Sequence, residues 1–215
     1  MKPKVVIFDV DGTLLDTEAR WKEAWETVGN KYNAPELGTD LFYKLIGKSG
    51  KEEISFIENY LTERQLPLSI LDEATSYGVQ LLNEHIDVKP GVVKFLDKIK
   101  TLNIPMGVAT ATRRDWTMER LTRCGLIHYF DYILCGDEVT QRKPHPETYL
   151  KVLEHFHVDG KDALVLEDSL VGVEAAYRAG TRCVMIPDLI PPTKAQKDQA
   201  IAIVKSMDDV LEMVG

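Results

Sequence analysis

Five short apolar runs constrain this chain more than any other feature. The first covers residues 4–8, is rich in β-branched and aromatic side chains, and stops at Asp9. Similar runs recur at residues 105–109, 132–135, 163–167 and 182–186. A strand with one wet face would alternate apolar and polar residues, whereas an unbroken apolar run suits a strand buried on both faces of a parallel sheet. Amphipathic stretches at 92–102, 115–124, 146–155 and 169–179 lie between these runs. Strands alternating with helices predict right-handed βαβ units and an α/β fold with a doubly wound, Rossmann-like parallel sheet. Gly180 falls where a helix C-cap is expected, and Pro146 where a first helical residue is tolerated.

Residues 17–87 interrupt the alternation and read as helices only. Trp21, Ala24, Trp25, Val28 and Tyr32 share one helical face, and Leu41, Phe42, Leu45 and Ile46 share another. Ser49-Gly50-Lys51-Glu52 has the form of a capping box opening a third helix, and a fourth spans about 70–85 despite Gly78. Lys89-Pro90-Gly91 then returns the chain to its α/β pattern. The expected organisation is a core of residues 1–16 and 88–215 with a helical module, 17–87, inserted after the first strand. A length of 215 residues accommodates both.

Composition narrows the function classes. With 44% apolar and 28% charged residues the chain has the means to bury a core, which excludes a disordered segment. A net charge of −8 argues against a general nucleic-acid binder, which needs cations to displace counterions from phosphates. No apolar run approaches the ~20 residues that span a bilayer. The start of the chain lacks the pattern of a signal peptide, so a cytoplasmic protein that engages no membrane is expected. Cys124, Cys135 and Cys183 have no metal-binding spacing and leave one thiol over, as for thiols in a reducing compartment.

Ligands of open α/β sheets bind beyond the carboxyl ends of the strands. Asp9-Val10-Asp11-Gly12-Thr13 follows the first run, and Thr110 the second. A loop to Lys143-Pro144 follows the third, and Glu167-Asp168 closes the fourth. Asp9 and Asp11 point the same way if the chain stays extended, their Cα atoms ~7 Å apart. An ionised Asp9 can attack phosphorus and form an acyl phosphate. Asp11 can protonate the departing oxygen and later take a proton from water. Thr110, with the backbone N–H groups of Ala111 and Thr112, can bond phosphate oxygens, and Lys143 can neutralise charge as it develops there. Asp9, Glu167 and Asp168 bring three negative charges against one from Lys143. A dianionic phosphate therefore calls for magnesium, a hard cation suited to carboxylate and phosphate oxygens.

Asp9-Val10-Asp11-Gly12-Thr13-Leu14-Leu15-Asp16 resembles the first signature motif of haloacid dehalogenase-like hydrolases. Thr110 resembles the second motif, Lys143 in Lys-Pro-His-Pro-Glu the third, and Glu167-Asp168-Ser169 the fourth. The similarity covers essentially the whole chain. The helical insert is similar to the cap of the subgroup containing β-phosphoglucomutase and sugar-phosphate phosphatases. The resemblance implies that Asp9 is the nucleophile, that Asp11 is the general acid/base, and that Asp9, the Asp11 carbonyl, Asp168 and Glu167 surround magnesium. The second Asp, which the dehalogenating branch generally lacks, favours phosphate chemistry.

Within the insert, Glu18, Trp21, Lys44 and Lys48 are candidates to face substrate, although aromatic residues at helical spacing more often build a core. Arg113, with Arg114, could meet an anionic substrate or start a solvated helix. Mutases of the subgroup usually carry a histidine in the first cap helix and an arginine after Gly-x-Ser. Here those positions hold Trp21 and Gly50. The expectation is therefore a monomeric phosphatase for a small phosphorylated metabolite, with a phosphomutase as the alternative. A phosphorylatable receiver domain gathers similar residues, but its phosphorylated Asp follows a later strand and it has no helical insert.

Overall fold

The computed structural model describes residues 2–48 and 50–214. The opening run forms β1 (Val5–Phe8), whose four side chains have no solvent exposure. Burying four such side chains contributes roughly 6–12 kcal/mol, at ~1.5–3 kcal/mol each. The helices α1 (Thr17–Lys31), α2 (Phe42–Leu45), α3 (Lys51–Glu63) and α4 (Ser69–Glu84) follow, with a π-helical turn at Leu37–Leu41 leading into α2. The chain then alternates through α5 (Val92–Thr101), β2 (Met106–Ala109), α6 (Arg114–Arg123), β3 (Tyr132–Leu134), α7 (Glu147–Phe156), β4 (Ala163–Glu167), α8 (Leu170–Arg178) and β5 (Arg182–Met185). It finishes with α9 (Lys194–Gln199), β6 (Ala202–Ile203) and α10 (Met207–Val214).

All strand pairs are parallel, in the order β3-β2-β1-β4-β5-β6. The five expected strands form the sheet, flanked by helices: α7 packs on β2 and β3, and α8 on β4 and β5. The sixth strand was not anticipated, because two half-buried residues are too short a run to register as a period. Pro146 is the N-cap of α7, and Gly180 follows α8 with a φ of +73°. The strand order reverses at β1, between β2 and β4, and such a reversal opens a crevice at the carboxyl ends of the strands.

The described residues divide into two compact units. One comprises residues up to Leu15 and from Asp87 onward, and the other Asp16–Ile86. Within the first unit, the Lys89 N–H donates to the Leu14 carbonyl at 2.9 Å and Leu15 bridges Val88. The two passages into and out of the insert are thus hydrogen-bonded to each other.

In the helical unit, α1 packs on α4 and buries Ala24, Trp25 and Val28. Gly78 in the middle of α4 is explained by Trp21, whose ring lies where a Cβ would stand, 2.2 Å from Cζ3. Tyr32 donates to Glu73 of α4 at 3.0 Å. Leu41, Phe42 and Leu45 are buried and Ile46 is half-buried. Gly50 caps α3; the expected cap at Ser49 lies outside the described residues. Among the described residues, no helix is long and apolar enough to cross a membrane. Cys135 and Cys183 are buried free thiols, and Cys124 is half-buried.

Candidate active site

Asp9 directly follows β1, held in line by its N–H bond to the Leu166 carbonyl of β4 at 3.0 Å. Its carboxylate meets Lys143, which arrives on the loop between β3 and α7. The Lys143 ammonium donates to Asp9 Oδ1 at 2.6 Å, to Glu167 Oε1 at 2.7 Å and to the Ala109 carbonyl at 2.9 Å. Three donors meet three acceptors, one just beyond the end of β1 and one at the last residue of each of β2 and β4. Glu147 shapes the loop that delivers this lysine, accepting from the N–H groups of Thr140 at 2.9 Å and Gln141 at 2.8 Å. Those bonds, with Lys151, hold the Glu147 carboxyl down to about 2.

Glu167 is fully buried, and both of its oxygens are occupied. Oε1 accepts from Lys143 and from the Tyr149 hydroxyl at 2.8 Å. Oε2 accepts from the N–H groups of Asp168 and Ser169 and from the Ser169 hydroxyl, each at 3.0 Å. A carboxylate with five donors anchors Lys143 firmly. Ser169 is also the N-cap of α8, its hydroxyl accepting from Gly172 N–H at 3.0 Å. Gly172 has no side chain because Glu167 fills the space: a Cβ there would lie 1.7 Å from Oε1.

Asp168 reaches back to the first loop, where Thr13 donates to its Oδ1 at 3.0 Å. Gly12, with a φ of +86°, makes the turn after Asp11, and a Cβ at Gly12 would stand 2.4 Å from Asp168 Oδ2. Asp9, Glu167 and Asp168 each bring an oxygen within 4.8 Å of the others, all three residues buried. Burial, opposed by Lys143 and reinforced by Glu167, pushes the Asp9 carboxyl up to about 7. Burial also works against the charge on Lys143, but Asp9 and Glu167 outweigh it and lift its pKa above the ordinary lysine value. An all-oxygen donor set carrying excess negative charge fits a hard divalent cation, which would hold Asp9 ionised.

Thr110, buried at the end of β2, accepts from Thr112 N–H at 3.1 Å. This occupies one of the two backbone groups expected to face phosphate, and leaves Ala111 half-buried beside it. Asp11 is braced from the same segment. Its Oδ2 accepts from the Thr112 hydroxyl at 2.6 Å, and its Oδ1 from Arg120 Nη1 at 3.0 Å.

Six of the expected residues, Asp9, Asp11, Thr110, Lys143, Glu167 and Asp168, thus lie at the ends of four adjoining strands, β3, β2, β1 and β4, and on the loops that follow them. Arg113 does not join them: it is exposed and paired with Asp115 at 2.9 Å. Glu18, Trp21, Lys44 and Lys48 belong to the helical unit. There Lys48 pairs with Glu52 at 2.9 Å and Lys44 with Asp40 at 2.7 Å. Both lysines line a shallow cavity of about 470 Å³ with Phe56, Tyr60 and Arg64.

Arg120, Tyr149 and the Thr112 hydroxyl were not anticipated. Arg120 lies with Thr117 and Leu121 on the buried face of α6, where a cation requires a partner.

A family model for haloacid dehalogenase-like hydrolases matches residues 6–186. The chain is a haloacid dehalogenase-like hydrolase. A Thermotoga maritima relative named phosphorylated carbohydrates phosphatase is 35% identical over 177 residues, 82% of each chain. (DL)-glycerol-3-phosphatase 2 of Arabidopsis thaliana is 30% identical, covering 85% of this hydrolase and 79% of its own length. Among solved structures, CbbY from Rhodobacter sphaeroides in complex with phosphate superposes with a TM-score of 0.73 at 28% identity. That similarity covers 97% of this hydrolase and 96% of CbbY.

Proposed function

We propose that this hydrolase is a magnesium-dependent phosphatase that cleaves a small phosphomonoester, a sugar phosphate or similar metabolite, through an aspartyl-phosphate on Asp9. The observation that carries the reading is the Asp9 carboxylate at the switch point, bonded by Lys143 and grouped with the carboxylates of Asp168 and Glu167. Asp9 attacks phosphorus in line with the leaving oxygen, forming one P–O bond as the ester P–O bond breaks. Asp11 supplies the proton that leaves with the alcohol. Water then attacks the phosphoenzyme, Asp11 takes its proton, and inorganic phosphate departs from a regenerated Asp9 carboxylate. Lys143 and the Thr110 hydroxyl stabilise charge on the equatorial oxygens. Asp9, Asp168, Glu167 and the Asp11 carbonyl would surround the magnesium, which offsets negative charge between enzyme and substrate when bound. Glu167 keeps Lys143 aimed at the phosphate.

Trp21 and Gly50, at positions where mutases of the subgroup carry other residues, favour hydrolysis over phosphate migration, as do relatives named for phosphatase activity. The test is inorganic phosphate release from hexose 6-phosphates, β-glucose 1-phosphate, pentose phosphates and nucleotides, with magnesium and with excess EDTA. Magnesium-dependent release abolished by Asp9→Asn, with unfolding unchanged, is expected. Conversion of β-glucose 1-phosphate to glucose 6-phosphate with little free phosphate would replace the phosphatase by a phosphomutase. Substantial turnover by Asp9→Asn would refute the covalent route.

A further inference from the structure

A guanidinium buried on a helix face is costly unless it is well paired, and Arg120 has a specific partner. Its side chain is 7% exposed and its Nη1 lies 3.0 Å from Asp11 Oδ1, while the ring of Trp116 lies 5.6 Å from the guanidinium carbon. The other Asp11 oxygen is taken by Thr112, whose own N–H bonds the hydroxyl of Thr110. The Thr112 carbonyl in turn accepts from Gly136 N–H at 2.8 Å, tying this loop to the one beyond β3.

We propose that Arg120 and Thr112 are positioning residues for the reaction: together they brace the Asp11 carboxyl at two points and lock it in register with the Thr110 phosphate loop. Asp11 follows the end of β1 at a glycine turn, so its backbone alone leaves the carboxyl free to rotate about two side-chain bonds. Donors on opposite oxygens remove that freedom. Thr112 belongs to the loop that carries Thr110 and Ala111, and Arg120 to α6, the helix that loop leads into, so a phosphate seated there and the acid/base carboxyl share one frame. An offset of ~1 Å between such groups can cost about 100-fold in rate. The inference rests on the reading of Asp11 as the acid/base.

Turnover of p-nitrophenyl phosphate with magnesium tests it. The phenolate leaves without protonation, so only the second half-reaction, in which Asp11 takes a proton from water, depends on the acid/base. Arg120→Met is expected to lower kcat about 10- to 100-fold, with KM falling alongside so that kcat/KM, which reports the first half-reaction, stays within about threefold. Arg120→Lys, which keeps the charge but not the planar fork, recovers part of the loss. Added to Asp11→Asn, Arg120→Met costs less than about twofold more, since groups acting as a unit are not additive. Thr112→Val removes only the second donor and carries the same expectations should Arg120→Met fail to fold. An equal loss in the wild-type and Asp11→Asn backgrounds, or unchanged kcat in both Arg120→Met and Thr112→Val, overturns the brace. A wild-type rate in Asp11→Asn instead overturns the acid/base assignment beneath it.

Discussion

Replacing Gly172 by alanine puts a methyl group where the Glu167 carboxylate already lies, 1.7 Å from Oε1, 2.0 Å from Cδ and 2.3 Å from Oε2. Ordinary contact begins near 3.4 Å, so the carboxylate must retreat or α8 must lift off β4. Glu167 has no slack, because Lys143, Tyr149, Ser169 and the backbone N–H of Asp168 all hold it. Overpacking costs ~1–3 kcal/mol. Losing one hydrogen bond to a charged group adds ~1.5–3 kcal/mol. Alanine returns up to ~1 kcal/mol of helix propensity. The net expectation is a loss of ~1.5–6 kcal/mol, about 3–24 °C in Tm for a chain of this size. Thermal unfolding followed by circular dichroism measures the stability, and p-nitrophenyl phosphate turnover reports whether Lys143 has kept its place. A Tm equal to or above wild type would show that helix propensity alone decides this position. The account of Glu167 wedged beneath α8 would then be wrong.

Glu147 offers a pH test. Its folded pKa, about 2, lies below the ordinary 4.5, so its stabilisation is complete above pH 4.5 and is lost as pH falls through 2. Glu147→Gln should therefore lower Tm at pH 7 and flatten the decline of Tm between pH 4.5 and 2; parallel pH profiles would contradict this. In the helical unit, Gly78→Ala should cost ~1–3 kcal/mol in denaturant unfolding, because the Trp21 ring occupies the site; a stabilised variant would mean that the ring packs elsewhere. Tyr149→Phe removes one donor from buried Glu167 and should cost ~1.5–3 kcal/mol, with a smaller effect on turnover than Gly172→Ala. Comparable or greater loss of turnover would assign the hydroxyl a larger part in aiming Lys143.

Much of this could be read directly because burial on both faces leaves an unmistakable signature. Val5–Phe8 and Ala163–Glu167 are fully enclosed, and each hands the chain to acidic residues at its carboxyl end. Asp9, Asp11, Glu167 and Asp168 follow from that rule, whereas Thr110 and Lys143 owe their expected roles to the family resemblance. What escaped depends on contacts between segments remote in sequence. β6 owes its pairing to β5 alone, with only two residues in the ladder. Arg120 reads as one more charged residue in a polar helix until Asp11, 109 positions earlier, is brought beside it. Gly78 looks like a helix breaker because the ring that requires it belongs to α1. Arg113 is the converse case: a cation next to the phosphate loop in sequence that turns to its own neighbour Asp115 instead.

The pairing of Leu14–Leu15 with Val88–Lys89 has a consequence for how such an enzyme can change. The insert leaves and rejoins the sheet-bearing unit through one hydrogen-bonded doorway, so the unit itself is insensitive to how much chain lies beyond that threshold. Closing a longer loop costs only about 0.6 kcal/mol per doubling of its length. Helices can therefore be added, lost or exchanged as a cassette while the strand ends keep their register. The length of the insert and the register of the strand ends are thus separable properties of the chain.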